Sequence, residues 1–179
     1  ARSDTRALAL LGADIDVVSI AAGQEALVTA LSRCDAVVNL AGEPLLGARW
    51  SEQRRAVLRE SRVDLTQQLV AAIDAASPRP RVLVSASAVG YYGDRADEVL
   101  TESSPARDDF LSQLCHDWEA AAQAASALGV RVVLVRTGVV LGRAGGALAQ
   151  MLPPFRLGAG GPIGSGRQYF PLIHLHDLV

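Results

Sequence analysis

The sequence contains no lysine: all 17 of its basic residues are arginines, against 19 aspartates and glutamates. The resulting formal net charge of −2 offers no basic surface of the kind that nucleic-acid binding requires. The chain also lacks any apolar run near the roughly 20 residues that cross a bilayer, and its polar beginning differs from a signal peptide. We therefore expect a cytoplasmic protein whose partner is a small molecule rather than a nucleic acid or a membrane. These features do not determine its oligomeric state.

Cysteine is scarce as well, and the two thiols do not form a metal motif. Cys34 and Cys115 lie far apart in the sequence, so we expect them to be reduced thiols. Near the end of the chain His174, His176 and Asp177 lie close together, but no further ligands cluster with them. We expect no metal site, and hydrogen bonding is the expected role of His174 and Asp177.

What the sequence does contain is an alternation of strand-like and helix-like apolar patterns. This alternation predicts an α/β protein with a parallel sheet covered by helices on both faces, and 179 residues suit a single domain. Strands are predicted over 14–20, over 35–42, from residue 81 to the serines at 85 and 87, and over 131–137. Helices are predicted over 24–33, from Ser51 to a stop at Ser77-Pro78, from a cap at Asp108 or Asp109 to Gly129, and over 147–152.

Hydroxyl groups gather where the strand that begins at residue 81 ends. Ser85 and Ser87 alternate along the strand and therefore point to the same face, and Tyr91 and Tyr92 follow directly. Parallel α/β sheets bind ligands at the carboxyl ends of their strands, so these hydroxyls could bond to a substrate carbonyl or alcohol and donate a proton to it. A phenol needs a nearby cation to act as a base near neutrality. The alternative for the serines is burial with hydrogen bonds to the backbone.

Several separated segments, in order along the chain, resemble the atypical extended short-chain dehydrogenase/reductases called the epimerase family: 37–43, 49–50, 61–63, 85–93, 118–121, 136–142, 145–146, 151–156, 160–161, 164–168 and 173–178. The resemblance implies a Rossmann-like, doubly wound parallel sheet forming a single NAD(P)-binding domain over residues 1–179. It also implies that the first strand, glycine-rich loop and helix are missing, because no Gly-x-x-Gly-x-x-Gly follows a strand near the beginning. We accordingly expect a fragment that stops before the substrate-side portion and binds the cofactor poorly by itself.

The resemblance further implies which residues contact the cofactor, expected to be NADP rather than NAD. Arg2, with Arg6 as a second candidate, would pair with the ribose 2′-phosphate, unless it is a solvated terminal residue; Asp4 keeps NAD as an alternative. Gly42 would let the backbone approach the ligand closely, unless it only serves a tight turn. Arg62 is placed at the start of a helix, where an exposed arginine is the alternative. The implied cofactor-binding residues are Arg2, Asn39, Leu40, Ala41, Gly42, Arg62, Ser85, Thr137, Gly138 and Val139.

Hydride chemistry in this superfamily depends on a Tyr-x-x-x-Lys pair, which this sequence lacks. The corresponding positions are about Leu114 and Trp118, which we expect to face the core. The resemblance assigns Ser87 as the catalytic serine, and the phenols of Tyr91 and Tyr92, directly after it in the sequence, are the candidate proton donors. The missing cation would have to come from Arg136, Arg143 or the nicotinamide ring. Residues of the same helix that could replace the pair are Cys115, His116, Asp117 and Glu119, although we expect His116 to be a solvated helix residue.

On the substrate side, the resemblance assigns Arg167 and Gln168. The glycine-rich tract over 158–166 does not follow a strand and open a helix, so it is a weak candidate for a phosphate loop. Together these features imply an NADP(H)-binding atypical reductase or epimerase that acts on an unidentified small molecule. The missing pair leaves open a non-catalytic cofactor-binding or regulatory protein, and a structural domain without a ligand is the third interpretation.

Overall fold

The computed structural model describes residues 4–19, 22–45, 49–143, 145–162 and 164–179. Within them the helices are α1 (Asp4–Leu11), α2 (Gly23–Leu31), α3 (Glu52–Arg59), α4 (Leu65–Ala75), α5 (Phe110–Gln123), α6 (Gly146–Arg156) and α7 (Leu175–Leu178). The strands are β1 (Ala36–Asn39), β2 (Val82–Ala88), β3 (Arg131–Thr137), β4 (Val139–Gly142) and β5 (Leu172–His174). Among the residues described, no helix has the length and apolar character that crossing a membrane requires.

A three-stranded parallel sheet in the order β1-β2-β3 forms the centre of the fold. Its register places Asn39 beside Ser85 and Ser87 beside Arg136. A second, two-stranded parallel sheet joins β4 to β5. The predicted α/β architecture is confirmed, and the carboxyl ends of the three central strands lie together at one edge of the sheet.

The strand predicted over 14–20 is wrong in the part that the structure describes. Residues 14–19 form bends and irregular backbone, and Ile20 lies outside the described residues. Val17 and Val18 are half-buried and Ile15 is exposed, so this apolar pattern produces partial burial over the described residues without a strand.

Local signals correctly mark the ends of several helices. The Ser51 hydroxyl accepts a hydrogen bond from the Arg54 N–H at the start of α3, and the Asp109 carboxylate accepts from two backbone N–H groups at the start of α5. Gly129 adopts a φ of +79° and ends the 3-10 turn that follows α5. The helix predicted over 147–152 is longer, because Pro153 and Pro154 lie in the last turns of α6 and Leu157 N–H still donates to the Pro153 carbonyl.

Helices α4 and α5 pack on the face of β2 that carries Leu83, Ser85 and Ser87, all of which are buried. The alternate residues of β2 are only half-buried, so the described helices cover this face more completely than the other. The main apolar core consists of Leu31, Leu69, Ala72, Ile73, Ala76, Leu83, Ala122, Ala125 and Val130. A second cluster consists of Leu58, Val63, Leu114, Trp118 and Ala121. The expectation that Leu114 and Trp118 face the core is confirmed.

Candidate functional site

A buried ion pair lies where β2 and β3 end. Glu119 of α5 receives two hydrogen bonds from Arg136 of β3, from Nε to Oε1 and from Nη2 to Oε2, both 2.8 Å long. The Ser87 hydroxyl of β2 donates to the same Oε1 at 2.5 Å. Only 7% of Glu119 and 4% of Ser87 are exposed, so this carboxylate exchanges its hydration for three protein donors.

Arg136 also joins both candidate tyrosines. Its Nη1 donates to the Tyr92 hydroxyl at 2.9 Å and to the Glu102 carbonyl at 2.9 Å. The guanidinium carbon lies 3.6 Å from the centre of the Tyr91 ring, within the range of a cation–π contact. The two phenol rings meet edge to face with centres 5.4 Å apart. Of the proposed sources of the missing cation, the structure brings Arg136 to the tyrosines.

The ionised form of this pair is favoured by its surroundings. Burial alone would raise the pKa of Glu119, but the hydrogen bonds from Arg136 and Ser87 and the positive charge of Arg136 bring it below the ordinary value. The hydrogen bonds to Glu119 raise the pKa of Arg136, although burial opposes this. Glu119 is therefore a carboxylate at neutral pH that accepts hydrogen bonds, and it is poorly suited to donating a proton.

A second buried network fixes the turn after β1. The Asn39 side-chain nitrogen donates to Thr66 Oγ1 at 2.9 Å and lies 3.4 Å from Ser85 Oγ. Trp118 Nε1 donates to the same Thr66 oxygen at 3.0 Å. The Asn39 side-chain oxygen accepts from the Ala41 N–H at 3.2 Å, which turns the chain back on itself. Ser85 is thus buried and bonded within the protein, which matches the alternative of a buried serine.

Arg62 covers the turn after β1, and the expectation that it starts a helix is wrong. It lies in a π-helical turn, Glu60–Asp64, inside a continuous helical run that begins at Glu52. Its Nη2 donates to the Glu43 carbonyl at 2.9 Å, and its guanidinium lies over the Trp118 ring at 5.4 Å. A Cβ on Gly42 would lie 3.1 Å from the guanidinium carbon. Burial lowers the pKa of Arg62.

A cleft of about 530 Å³ lies beside this turn. Its lining residues come from the end of β1 and from the long helical run, and they are Leu40, Ala41, Gly42, Glu43, Val57, Glu60, Ser61 and Leu65. Three of the implied cofactor-binding residues therefore line one cleft. Arg2 lies outside the described residues, as does the side chain of Arg6.

The end of β3 is held by the segment before β5. Val139 N–H donates to the Pro171 carbonyl at 2.9 Å, and a Cβ on Gly138 would lie 2.8 Å from that same oxygen. The Thr137 hydroxyl, half-buried, lies 3.4 Å from the Val135 carbonyl. Gly138 is therefore required by a close backbone approach within the protein, and the three residues are placed at the sheet edge as expected.

A larger cleft, of about 680 Å³, opens beside Tyr92. We call it the Tyr92 cleft; its lining residues are Val89, Tyr92, Gly93, Asp94, Arg95, Ala96, Asp97, Glu98, Val99, Leu100, Gln168, Tyr169, Phe170 and Pro171. The Tyr169 hydroxyl donates to Asp97 Oδ1 at 2.9 Å and so joins its two sides. Of the two predicted substrate residues, Gln168 lines this cleft and Arg167 does not.

The remaining candidates from the sequence are not drawn into the site. His116 is exposed and contacts Gln113 and Asp117, as expected for a solvated residue. Cys115 is buried, and burial together with the charge of Glu119 raises its pKa to about 11. His174 Nδ1 accepts from the His176 N–H, and no group of metal ligands forms among the residues that the structure describes.

Sequence reasoning missed Thr66, Arg95 and Glu102 as parts of the site. Thr66 accepts two hydrogen bonds in the Asn39 network. Arg95 donates to the Tyr92 and Pro105 carbonyls and to Glu98. The contacts of Thr66 and of the Glu102 carbonyl join segments that are distant in the sequence, so no local spacing identifies them, whereas Arg95 bonds mainly within its own loop.

Comparison with known proteins gives one family. The sequence profile of the NAD-dependent epimerase/dehydratase family matches residues 6–179. The human epimerase family protein SDR39U1 is 48% identical over 157 residues, which cover 86% of this chain and 53% of that protein. Its chloroplastic homologue from Arabidopsis thaliana is 50% identical over 146 residues, covering 80% of this chain and 42% of the homologue. The chain thus spans about half the length of these curated relatives.

Two solved structures match the fold closely. The crystal structure of human SDR39U1 (isoform 2) with NADPH superimposes with a TM-score of 0.74 at 45% identity, covering 84% of this chain and 54% of that one. The structure of MoeE5 with UDP-glucose and NAD gives a TM-score of 0.71 at 26% identity, covering 85% and 52%. The NADPH in the human protein agrees with the cofactor expected from the sequence.

Proposed function

The chain belongs to the NAD-dependent epimerase/dehydratase family, and from this premise we propose that the protein containing it binds NADP(H) and exchanges hydride with a small carbonyl or alcohol compound. The reaction would be a reduction or an epimerisation. The cofactor would lie across the carboxyl ends of β1, β2 and β3, where α/β sheets bind ligands. The observation that carries the proposal is the joining of Tyr92, Arg136, Glu119 and Ser87 in one network beside a cleft.

Binding of the cofactor is supported by the turn at the end of β1. The Asn39 side chain stabilises this turn by accepting a hydrogen bond from the Ala41 N–H. Gly42 has no side chain, and the Arg62 guanidinium occupies part of the space beside it. The human relative crystallised with NADPH supports the choice of the phosphorylated cofactor. We propose that Arg2 pairs with the 2′-phosphate, because a guanidinium binds a phosphate through two parallel hydrogen bonds.

Tyr92 is the residue that we propose as proton donor. When bound, NADPH supplies a hydride to the carbonyl carbon and is oxidised to NADP⁺, and a proton on the carbonyl oxygen completes the alcohol. Tyr92 lines the cleft, and its hydroxyl proton is free to point there because Arg136 donates to its oxygen. A guanidinium in this position stabilises negative charge that develops on the phenol oxygen. This is the electrostatic role that a lysine would otherwise have.

Ser87 and Glu119 position this group in our proposal. The Ser87 proton is directed to Glu119, so the serine binds the ion pair instead of pointing a donor at the cleft. Glu119 in turn fixes two edges of the Arg136 guanidinium. Tyr91 packs against the face of the same guanidinium and limits its movement.

The first experiment is a titration of the full-length protein with NADPH and with NADH, followed by nicotinamide fluorescence. We expect saturable binding that prefers NADPH and weakens about tenfold or more in Arg2→Ala, since a charged pair with phosphate is lost. Asp14→Ala, an exposed change elsewhere, serves as the control. Failure to bind either cofactor would refute the proposal.

The second candidate is a cofactor-binding protein without turnover. It is favoured by the engagement of the Ser87 hydroxyl with Glu119, which leaves one fewer hydroxyl for a substrate. Tight binding of NADPH without hydride transfer to a broad panel of carbonyl compounds would support it. Turnover that is lost in Tyr92→Phe would exclude it.

A further inference from the structure

We propose that the Tyr92 cleft takes an uncharged or cationic, mainly apolar carbonyl or alcohol compound and rejects nucleoside diphosphates. The inference rests on the proposed function, because it assigns the substrate class of the same site. MoeE5, by contrast, was crystallised with UDP-glucose. The argument comes from the shape, the apolar lining and the charges of the cleft.

The walls of the cleft are apolar and aromatic. Val89, Leu100 and Pro171 form part of the lining, and Tyr169 and Phe170 add rings. A volume of about 680 Å³ falls within the range of small-molecule sites, which are mainly apolar with a few polar groups that fix orientation. Tyr92 is such a group, and it is also the proposed proton donor.

The charged residues of the lining are mostly acidic. They comprise Asp94, Asp97 and Glu98 against Arg95. Asp94 accepts from the Ala96 N–H and Asp97 accepts from the Tyr169 hydroxyl. These two bonds orient the carboxylates without neutralising them.

Two arginines beside the cleft, Arg95 and Arg136, are already bonded within the protein. Arg95 directs Nε to the Tyr92 carbonyl, Nη1 to Glu98 and Nη2 to the Pro105 carbonyl. Arg136 directs its donors to Glu119, to Tyr92 and to a backbone carbonyl. A diphosphate needs cations or several free N–H donors, and the described lining presents it with carboxylates instead.

The loop that carries these carboxylates is shaped by a constrained residue. Ala96 has a φ of +47°, a left-handed conformation that is uncommon for a residue with a Cβ. The Asp94 side chain holds it there through the Ala96 N–H. Asp94 and Asp97 are thereby kept on the lining of the cleft.

The test uses three aryl methyl ketones of different charge, with the full-length protein. They are 4-acetylbenzoate, acetophenone and 4-acetyl-N,N,N-trimethylanilinium, and UDP-glucose is the fourth probe. Affinities are measured by saturation-transfer NMR titration, with NADPH and without it. We expect the cation and the neutral ketone to bind at least about fivefold more tightly than the anion, because a unit negative charge is repelled by a nearby solvated carboxylate by about that factor in affinity. We expect UDP-glucose not to bind.

Two isosteric variants complete the experiment. Asp97→Asn keeps an acceptor for Tyr169 and removes one charge, so we expect the preference for the cation over the anion to fall about two- to fivefold. Asp14→Asn makes the same change at an exposed position outside the lining and should leave the preference unaltered. Anion binding equal to that of the cation, binding of UDP-glucose, or no binding of any ketone would overturn the inference. Because NADPH binding is titrated separately, loss of the proposed function is distinguished from a wrong substrate class.

Discussion

At the scale of single residues, Arg136 is the side chain on which the contacts of the site converge. It pairs with Glu119 through two hydrogen bonds, donates to the Tyr92 hydroxyl and lies against the Tyr91 ring. A buried ion pair of this kind contributes little when compared with apolar residues, but the loss of one partner is costly because the other charge remains. The role of each member is therefore best measured by changing one member at a time.

Glu119→Gln tests the ion pair through its dependence on pH. At pH 7 we expect the free energy of unfolding to fall by about 3 kcal/mol, because Arg136 loses its charged partner. The folded-state pKa of Glu119 lies below its ordinary value, so its contribution is complete above the unfolded-state pKa and disappears as the pH falls through the folded-state pKa. Urea unfolding should thus show a gap between the variant and wild type that shrinks below about pH 4.

The matched control is Glu25→Gln on α2, where the carboxyl is exposed. This variant should stay within about 0.5 kcal/mol of wild type. A gap for Glu119→Gln that remains constant from pH 7 to pH 3 would contradict an ionised Glu119.

Tyr92→Phe separates the two adjacent phenols. If Tyr92 supplies the proton, its loss should lower kcat at least about a hundredfold with little change in NADPH affinity. Tyr91→Phe keeps the ring against Arg136 and should change kcat less than about threefold, which is small beside the general-acid effect. Equal effects of the two variants in stopped-flow measurement of hydride transfer would be inconsistent with the assignment.

The two cysteines should differ in reactivity. Burial raises the pKa of Cys115 to about 11, so its thiol stays protonated and inert near neutrality, whereas Cys34 is exposed. We expect a chromogenic disulfide reagent to modify one thiol of the native chain rapidly and the second only after denaturation. Rapid reaction of both thiols in the native protein would show that Cys115 is accessible.

At the scale of elements, the helices end where particular residues require it. The long helical run from Glu52 to Ala75 contains the π-turn of Glu60–Asp64, which places Arg62 over the Trp118 ring and beside Gly42. Such turns interrupt the regular pattern of i to i−4 hydrogen bonds and often occur at functional sites. After α5 the chain reverses at Gly129, in a conformation that residues with a Cβ rarely adopt.

Gly129→Ala tests this helix end. The site has open space around the position of a Cβ, so the cost should come from the backbone conformation alone, about 1 kcal/mol of unfolding free energy. Gly161→Ala is the control, because it has equal space and no positive φ, and it should change stability by less than about 0.5 kcal/mol. Equal melting temperatures for the two variants would exclude a left-handed Gly129.

At the scale of the whole molecule, the central sheet and the helices α2, α4 and α5 share one core. Leu83 of the central strand is fully buried between neighbours from α4 and from the segment after α5. We expect Leu83→Ala to lower the free energy of unfolding by about 2–5 kcal/mol, through lost burial and a residual cavity. Leu157→Ala, at a residue that is 82% exposed, should cost less than about 0.5 kcal/mol. Similar denaturation midpoints for both would show that the core does not include β2.

The family, the α/β class and several elements follow from the sequence by itself. The β-branched runs at β1, β2 and β3 predict strands because such residues suit a pleated, buried surface, and Ser51, Asp109 and Gly129 mark helix ends through local hydrogen bonds or backbone conformation. The spacing of Ser85 and Ser87 places both on one face. These features depend on residues that are close in sequence.

The tertiary structure decided what depends on partners far along the chain. Residues 14–19 lie in bends and irregular backbone despite their apolar pattern, and Ser85 accepts a hydrogen bond inside the protein from Asn39 of β1. Arg136 joins the tyrosines and Glu119 only because β3 lies beside β2 under α5. Hydrogen bonds between single polar atoms leave no periodic pattern in the sequence. The sequence therefore indicates which polar residues can form the site, and the tertiary packing determines which of them bond to one another.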